Sequence, residues 1–211
     1  MRKPEQAATD AGAGGRLRRD TQATRDRLLD AVGRLVTTQG PTFGLPDLAR
    51  ESGISTATVY RHFGTIHDAF DQFLLRLGHE LAGQLNATRG GDGIARFRAA
   101  CVTWVDVVEE WGIAATRIRS TEGYLTRVRR GEALTTALHE ALSGILVRLI
   151  ADQRIPPVDL DYAILLWTTL FDERVLIDLR LAKGWSNEHI ATQLGSAVLA
   201  AITGSAEAEM A

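Results

Sequence analysis

The stretch Leu45 to Phe63 constrains this chain more than any other. It reads Leu-Pro-Asp-Leu-Ala-Arg-Glu-Ser-Gly-Ile-Ser-Thr-Ala-Thr-Val-Tyr-Arg-His-Phe. The pattern predicts two short helices joined by the turn Gly53-Ile54-Ser55. Leu48 and Ala49 point inward from the first helix, and the small Ala49 lets a crossing helix approach. Gly53 sits just past that helix, where a left-handed backbone ends it and glycine adopts that conformation cheaply. Ile54 is an apolar plug in the turn. Ser55 is an N-cap whose hydroxyl can accept a backbone N–H. Val59 and Phe63 are four apart and share one buried face. Ser55, Thr56, Thr58, Tyr60, Arg61 and His62 are left for solvent or a ligand surface. This is a helix-turn-helix pattern, whose second helix enters a DNA major groove. Small residues at the start of such a helix, here Ser55, Thr56, Ala57 and Thr58, suit base edges and the thymine methyl group. Tyr60, Arg61 and His62 suit phosphates, which position the protein without reading sequence.

The flanking sequence organises around that motif. Residues 1–20 are rich in Ala, Gly, Arg and Asp and predict a flexible basic arm, with Arg16, Arg18 and Arg19 able to reach flanking DNA. A first helix is expected over about 21–39, with Leu28, Val32, Leu35 and Val36 at helical spacing and Gly40 as its stop. Thr65 can cap a fourth helix reaching about residue 88, with Phe70, Phe73, Leu74, Leu77, Leu81 and Leu85 buried. Asn86 to Gly93 reads as a flexible joint. Further helices are expected over about 93–111, 114–121, 131–153 and from Asp159 to Lys183, and a last one is capped by Ser186. The chain is therefore expected to be all-α, with 21–66 as the helix-turn-helix domain and 67–211 as a second helical domain.

Charge is uneven along the chain. Overall net charge is −2. Residues 1–64 carry ten Arg or Lys against seven Asp or Glu, a net of +3, and the remainder carries fourteen against nineteen, a net of −5. A basic front on an acidic body fits a small DNA-reading head. Cys101 is the only cysteine. It allows no intrachain disulfide, suits a reducing cytoplasm, and reads as a core residue in register with Phe97 and Trp104. The N-terminus lacks the apolar segment of a signal peptide, and no apolar run approaches bilayer-spanning length, so no membrane association is expected.

With these residues assembled, Arg25-Asp26-Arg27-Leu28-Leu29-Asp30-Ala31-Val32, Gly40, Leu48-Ala49, Gly53-Ile54-Ser55 and Thr58-Val59-Tyr60-Arg61-His62-Phe63 resemble the N-terminal domain of the tetracycline-repressor (TetR) family. Tyr60-Arg61-His62-Phe63 after the Gly-x-Ser turn is the most specific part. The resemblance covers about residues 21–80, and total length also fits. It implies a helical ligand-binding and dimerisation domain after the DNA-binding domain, with the fourth helix tying the two together. It implies a homodimer on double-stranded operator DNA and a small-molecule effector that releases it. It further implies DNA contacts from Arg25, Ser55, Thr56, Ala57, Thr58, Tyr60, Arg61, His62 and Thr65. Two positions depart from the family pattern. The Ser or Thr usual at the start of the second helix is Gly44, after a loop that looks one residue short, and a Lys common near the start of the fourth helix is Ile66. Two usual phosphate contacts thereby drop out of the expectation.

In the body, the run Tyr162 to Phe171 is apolar around most of its circumference, and the last helix carries the small residues Ala197, Ala200 and Ala201. Such surfaces suit a helical dimer interface. The body also collects aromatics beside polar groups, the composition of a small-molecule pocket. Trp104, Val108, Trp111, Arg117, Tyr124, Trp167, Thr168 and Phe171 are the candidate ligand-binding residues. Each aromatic taken alone suits a core better than a pocket, and Arg117 suits the surface better.

No catalytic constellation emerges. The five histidines, His62, His67, His79, His139 and His189, form no His-Glu-x-x-His pair and no zinc spacing, and no Gly-x-Ser-x-Gly elbow occurs. Neither an enzyme, a metal nor a cofactor is expected. The expected function is a ligand-responsive transcriptional repressor. The alternatives are an activator, or a helical accessory protein that keeps the motif with weakened or lost DNA binding.

Overall fold

A computed structural model describes the backbone over residues 7–87, 91–118 and 120–209, and side chains over 20–87, 91–118 and 120–205. Among these residues there is no strand. The helices are α1 (Ala7–Gln39), α2 (Leu45–Ser52), α3 (Thr56–His62), α4 (Ile66–Ala87), α5 (Gly93–Ile118), α6 (Tyr124–Arg129), α7 (Ala133–Ala151), α8 (Leu160–Leu170), α9 (Glu173–Lys183) and α10 (Asn187–Glu209). The chain forms two compact units, Met1–Phe73 and Leu74–Ala211. The division falls inside α4, not at the residue 66–67 boundary expected from the sequence.

Several expected signals form. Gly40, Gly53 and Gly184 each take a positive φ after the helix they end. Thr65 and Asp68 cap α4 reciprocally: the Thr65 N–H donates to Asp68 Oδ2 at 2.8 Å, and the Asp68 N–H donates to Thr65 Oγ1 at 3.1 Å. The His189 N–H donates to Ser186 Oγ at 3.3 Å at the start of α10.

Other expectations need correction. The backbone of 7–20 belongs to α1 rather than to a flexible arm; residues 1–6 and the side chains of Arg16, Arg18 and Arg19 lie outside the described residues. Of the expected joint over 86–93, residues 88–90 also lie outside them. The expected break after residue 111 does not occur. Gly112 stays inside α5 and is buried; a Cβ there would come within 2.7 Å of Val108 Cγ1 one turn earlier and would meet Ile177 Cδ1 of α9 at an ordinary 3.7 Å. Helix α6 was not expected at all. The single long helix over 159–183 is instead two. Asp172 restarts the chain as the N-cap of α9, its Oδ1 accepting the Arg174 N–H at 2.9 Å. Finally, α7 is long and apolar enough, by length and composition, to cross a membrane. It is placed as a core helix here, with Leu142, Ile145, Leu146 and Leu149 fully buried.

In the second unit, α5 packs against α7, α9 and α10, and α8 against α7 and α10. The core runs from Leu81 and Leu85 through Phe97, Trp104 and Val105 to Leu142, Ile164, Trp167 and Ile202. Burying each large apolar side chain of this set contributes about 1.5–3 kcal/mol before the entropy of ordering is counted. Cys101 is 1% exposed. Burial pushes its thiol well above the ordinary range, so it is an inert core residue.

Candidate DNA-reading helix and ligand cavity

The first unit holds α3 by few but complete contacts. Gly53 (φ +67°) ends α2, and the Ile54 N–H donates to Ala49 O at 3.2 Å. Arg27 of α1 donates to Ser52 O at 3.0 Å, and Arg34 of α1 pairs with Glu51 of α2 at 2.8 Å. The Ser52 hydroxyl, buried, donates to Leu48 O at 2.7 Å. Thus the C-terminal end of α2, which sets the angle of the turn, is tied to α1 by side chains as well as by packing. Leu48, Val59 and Phe63 are essentially unexposed. Phe43 and Phe70 meet edge-to-face at 5.5 Å.

The outward face of α3 follows from that anchoring. Ser55, Thr56, Ala57, Tyr60, Arg61 and Thr65 are exposed, and Tyr60 is 54% exposed. Arg25 and Thr58 are half-buried. The Thr58 N–H donates to Ser55 Oγ at 3.3 Å. The Thr58 Oγ1 accepts from the Ser55 hydroxyl at 2.9 Å and from Arg61 Nη2 at 3.0 Å. Arg61 is thus oriented along the helix by Thr58. His62 differs from its expected place: it is half-buried rather than free to face solvent. Burial first, then the charges of Arg61 and Arg25, hold its imidazole below the ordinary histidine value. His62 therefore takes up a proton less readily than a free histidine, and the permanent positive charge on this face comes from Arg61 and Arg25.

Gly44 is the N-cap of α2 without a side chain to cap with. Asp47 supplies the other half of a capping box, accepting the Gly44 N–H through Oδ2 at 3.0 Å. That hydrogen bond, followed by the charge of Arg50, holds the Asp47 carboxyl below its usual value. Ile66 is half-buried at the first position of α4.

The second unit contains a cavity of about 170 Å³. Its wall includes Leu77, Gly78 and Leu81 of α4, Trp104, Val108, Trp111 and Gly112 of α5, Tyr124 and Arg127 of α6, Leu134, Thr135 and Leu138 of α7, and Thr168, Phe171, Asp172 and Glu173 around the α8–α9 break. Of the residues expected from the sequence, Trp104, Val108, Trp111, Tyr124, Thr168 and Phe171 come together on this wall. Two do not. Arg117 is exposed near the end of α5 and is not on the wall. Trp167 is fully buried in the core, packed on Phe97 (4.7 Å between ring centres), Trp104 (6.4 Å) and Phe171 (6.3 Å). It backs the cavity aromatics rather than lining the space.

Two charged wall residues, Arg127 and Glu173, were missed by sequence reasoning. Tyr124 and Arg127 are three apart on α6, so both reach the cavity side. Arg127 forms a two-pronged pair with Glu132: Nε donates to Oε2 at 2.7 Å, and Nη2 to Oε1. This pairing holds the Glu132 carboxyl below its usual value and Arg127 above its own. Asp172 is paired with Arg174 through both carboxylate oxygens, at 2.9 and 3.0 Å, and its side chain is only 10% exposed. An Asp-Glu pair directly after an aromatic is a helix-start signal, and it was available for finding this break. Among the described residues no group of His, Cys, Asp or Glu is arranged to hold a metal ion.

These features define an all-helical chain with an N-terminal helix-turn-helix unit and a helical, cavity-containing second unit. No family model and no curated protein matches the sequence. Solved structures do match the fold. The regulator FadR from Bacillus subtilis, solved in complex with stearoyl-CoA, superposes with a TM-score of 0.69 at 13% identity, over 82% of this chain and 96% of that one. SmeT, solved in complex with triclosan, gives 0.65 at 17% identity, over 85% and 91%. A protein from Rhodococcus sp. described as a TetR-family transcriptional regulator gives 0.61 at 20% identity, over 85% and 98%. The fold of this chain is that of the TetR-family regulators.

Proposed function

We propose that this chain is a homodimeric transcriptional repressor whose α3 helices read a near-palindromic operator and whose cavity takes a small apolar or amphipathic effector. The observation that carries the reading is α3 itself. Its inner residue Val59 and the following Phe63 are locked in the core, while Thr56, Ala57, Tyr60 and Arg61 are presented outward without apolar cover. A short helix built this way has little to gain from its own fold and is suited to a groove. DNA contacts are assigned to Arg25, Ser55, Thr56, Ala57, Thr58, Tyr60, Arg61, His62 and Thr65.

Dimerisation is assigned to α8 and α10. On α10, Ala197, Ala200 and Gly204 are exposed at helical spacing, and Tyr162 on α8 is 46% exposed. Small residues in a row allow a second copy to approach closely, and a two-fold pair would place two α3 helices on successive major grooves. The effector occupies the cavity lined by Trp104, Trp111, Tyr124 and Phe171. It acts by favouring a conformation in which the two heads no longer match the operator.

The test is selection of binding sites from a random duplex pool with ligand-free protein, followed by titration at several salt concentrations. The reading expects a near-palindrome, and an affinity that falls steeply as salt rises. A pool without enrichment at low salt overturns it.

The accessory-protein reading draws on one observation, Gly44, which leaves the start of α2 without the hydroxyl usual there. The same salt titration separates the two, because a head that has lost its target shows only weak, sequence-independent binding.

A further inference from the structure

We infer that the effector is a compact, uncharged aromatic alcohol: one ring carrying a single hydroxyl, as in a phenol or an aryl alcohol. This deepens the proposed function and rests on its assignment of the cavity as the effector site.

Size and shape come first. A cavity of about 150 Å³ is known to accept benzene, and this one is about 170 Å³. One ring with a small substituent fills it, because Leu134 of α7 already occupies the space beside Gly78 of α4. Trp104, Trp111, Tyr124 and Phe171 supply four ring systems on which a ligand ring can pack, edge-to-face or offset.

Charge comes second. Three charged groups lie on the wall, Arg127, Asp172 and Glu173. Each is already engaged within the chain. Arg127 donates to both oxygens of Glu132. Arg174 donates to both oxygens of Asp172, and its main-chain N–H donates to Oδ1 as well. Glu173 has its own interaction, and its charge also acts on Arg174. An anionic ligand would have to displace Glu132 from Arg127, and a cationic one would have to displace Arg174 from Asp172. Either exchange breaks one charge-assisted pair to make another, and the ligand gives up its hydration besides. An uncharged ligand meets neither cost.

The hydroxyls of the wall come third. They belong to Tyr124, Thr135 and Thr168. A hydroxyl donates one proton and accepts through two lone pairs. Each of the three spends its proton on a main-chain carbonyl. Thr168 donates to Leu165 O and Thr135 to Glu132 O, both at 3.1 Å, and Tyr124 donates to Thr135 O at a longer 3.5 Å. Burial pushes the Tyr124 phenol above its ordinary value, so its oxygen keeps its proton. What these oxygens can still do is accept. A ligand hydroxyl donates to one of them without disturbing any bond already made. An ether of the same size has no proton to give and gains nothing from them.

The experiment compares probes of similar size by isothermal titration calorimetry on the full chain: p-cresol, its isomer anisole (neutral, with no proton to donate), benzylamine (a cation at pH 7) and benzoate (an anion). The inference expects p-cresol to bind most tightly, ahead of anisole by about threefold to tenfold and ahead of each charged probe by about tenfold or more. At least one of Thr168→Val, Thr135→Val and Tyr124→Phe, each checked for an unchanged melting profile, should bring p-cresol down to anisole and leave anisole as it was. A charged probe that binds as tightly as p-cresol overturns the inference and leaves the cavity as the effector site. Anisole matching p-cresol does the same, as does a preference for p-cresol that survives all three substitutions. If no probe binds while the same preparation retains a selected duplex, the inference and the cavity assignment both fall and the DNA-reading assignment stands.

Discussion

Leu134 of α7 occupies the space that a side chain on residue 78 of α4 would need. A Cβ built on Gly78 would stand 2.7 Å from Leu134 Cγ and closer still to Cδ1. Gly78 is a mid-helix glycine with a packing reason, and both residues also line the cavity. Alanine at this position would gain roughly 1 kcal/mol of helix propensity but overpack the contact by about 1–3 kcal/mol. Gly78→Ala is therefore expected to lower stability modestly, and to raise it in a Leu134→Ala background. A denaturation double-mutant cycle checks the change of sign. Additive effects would show that the two side chains do not compete.

Gly44 has φ −114°, a conformation open to any residue, and the nearest atom to an added Cβ is Pro46 Cδ at 3.4 Å. Gly44→Ser should therefore fit and supply the missing cap, stabilising the first unit by a few tenths of a kcal/mol. On the proposed function it should also tighten operator binding severalfold, by placing a hydroxyl at the start of α2. Melting temperature and duplex titration measure the two effects separately.

Tyr60 and Arg61 are exposed, whereas Val59 between them and the turn is fully buried. Arg61→Ala should leave the fold intact, weaken duplex binding and reduce the slope of log affinity against log salt by about 1. Thr58→Ala removes the hydrogen bond that orients Arg61 and should lower affinity less, with the slope unchanged. Val59→Ala should instead cost roughly 1–3 kcal/mol of stability through the cavity it leaves. Circular dichroism melts beside duplex titrations distinguish these outcomes.

The Arg127–Glu132 pair makes stability depend on pH. Its carboxyl lies below the usual value in the folded chain, chiefly because Arg127 donates to it. The folded state thus binds its proton less readily than the unfolded state does. The stabilisation is fully present above the ordinary carboxylate value of 4.5 and is lost as pH falls through the lower folded value. Glu132→Gln should melt below the parent chain at pH 7, and the difference should shrink on acidification below about pH 4.5. A difference independent of pH would assign the loss to packing or to hydrogen bonds alone.

The helix-turn-helix was legible because each of its signals is local. Gly53 needs a left-handed backbone, Ser55 caps the next turn, and Val59 and Phe63 share a face by spacing alone. The reciprocal cap of Thr65 and Asp68 belongs to the same kind. The second unit was legible only as helical. Asp172 and Asp159 are both caps, but apolar residues that continue on both sides of Asp172, from Trp167 and Phe171 to Leu176, concealed the restart between them. The break expected after residue 111 is absent because Gly112 is buried within α5, against Val108 of the same helix and in ordinary contact with Ile177 of α9.

What the sequence by itself determined is the set of helices that local capping and periodicity specify, and with them the outward face of α3. The tertiary structure alone decided which aromatics see empty space. Trp104 and Trp167 are alike in composition and register, yet one borders the cavity and the other is closed in by Phe97, Trp104 and Phe171. It likewise brought Arg127 of α6 and the acidic pair at the start of α9 to the same cavity. The physical reason is that a void is defined by what several distant segments fail to fill, and no window of sequence contains that quantity.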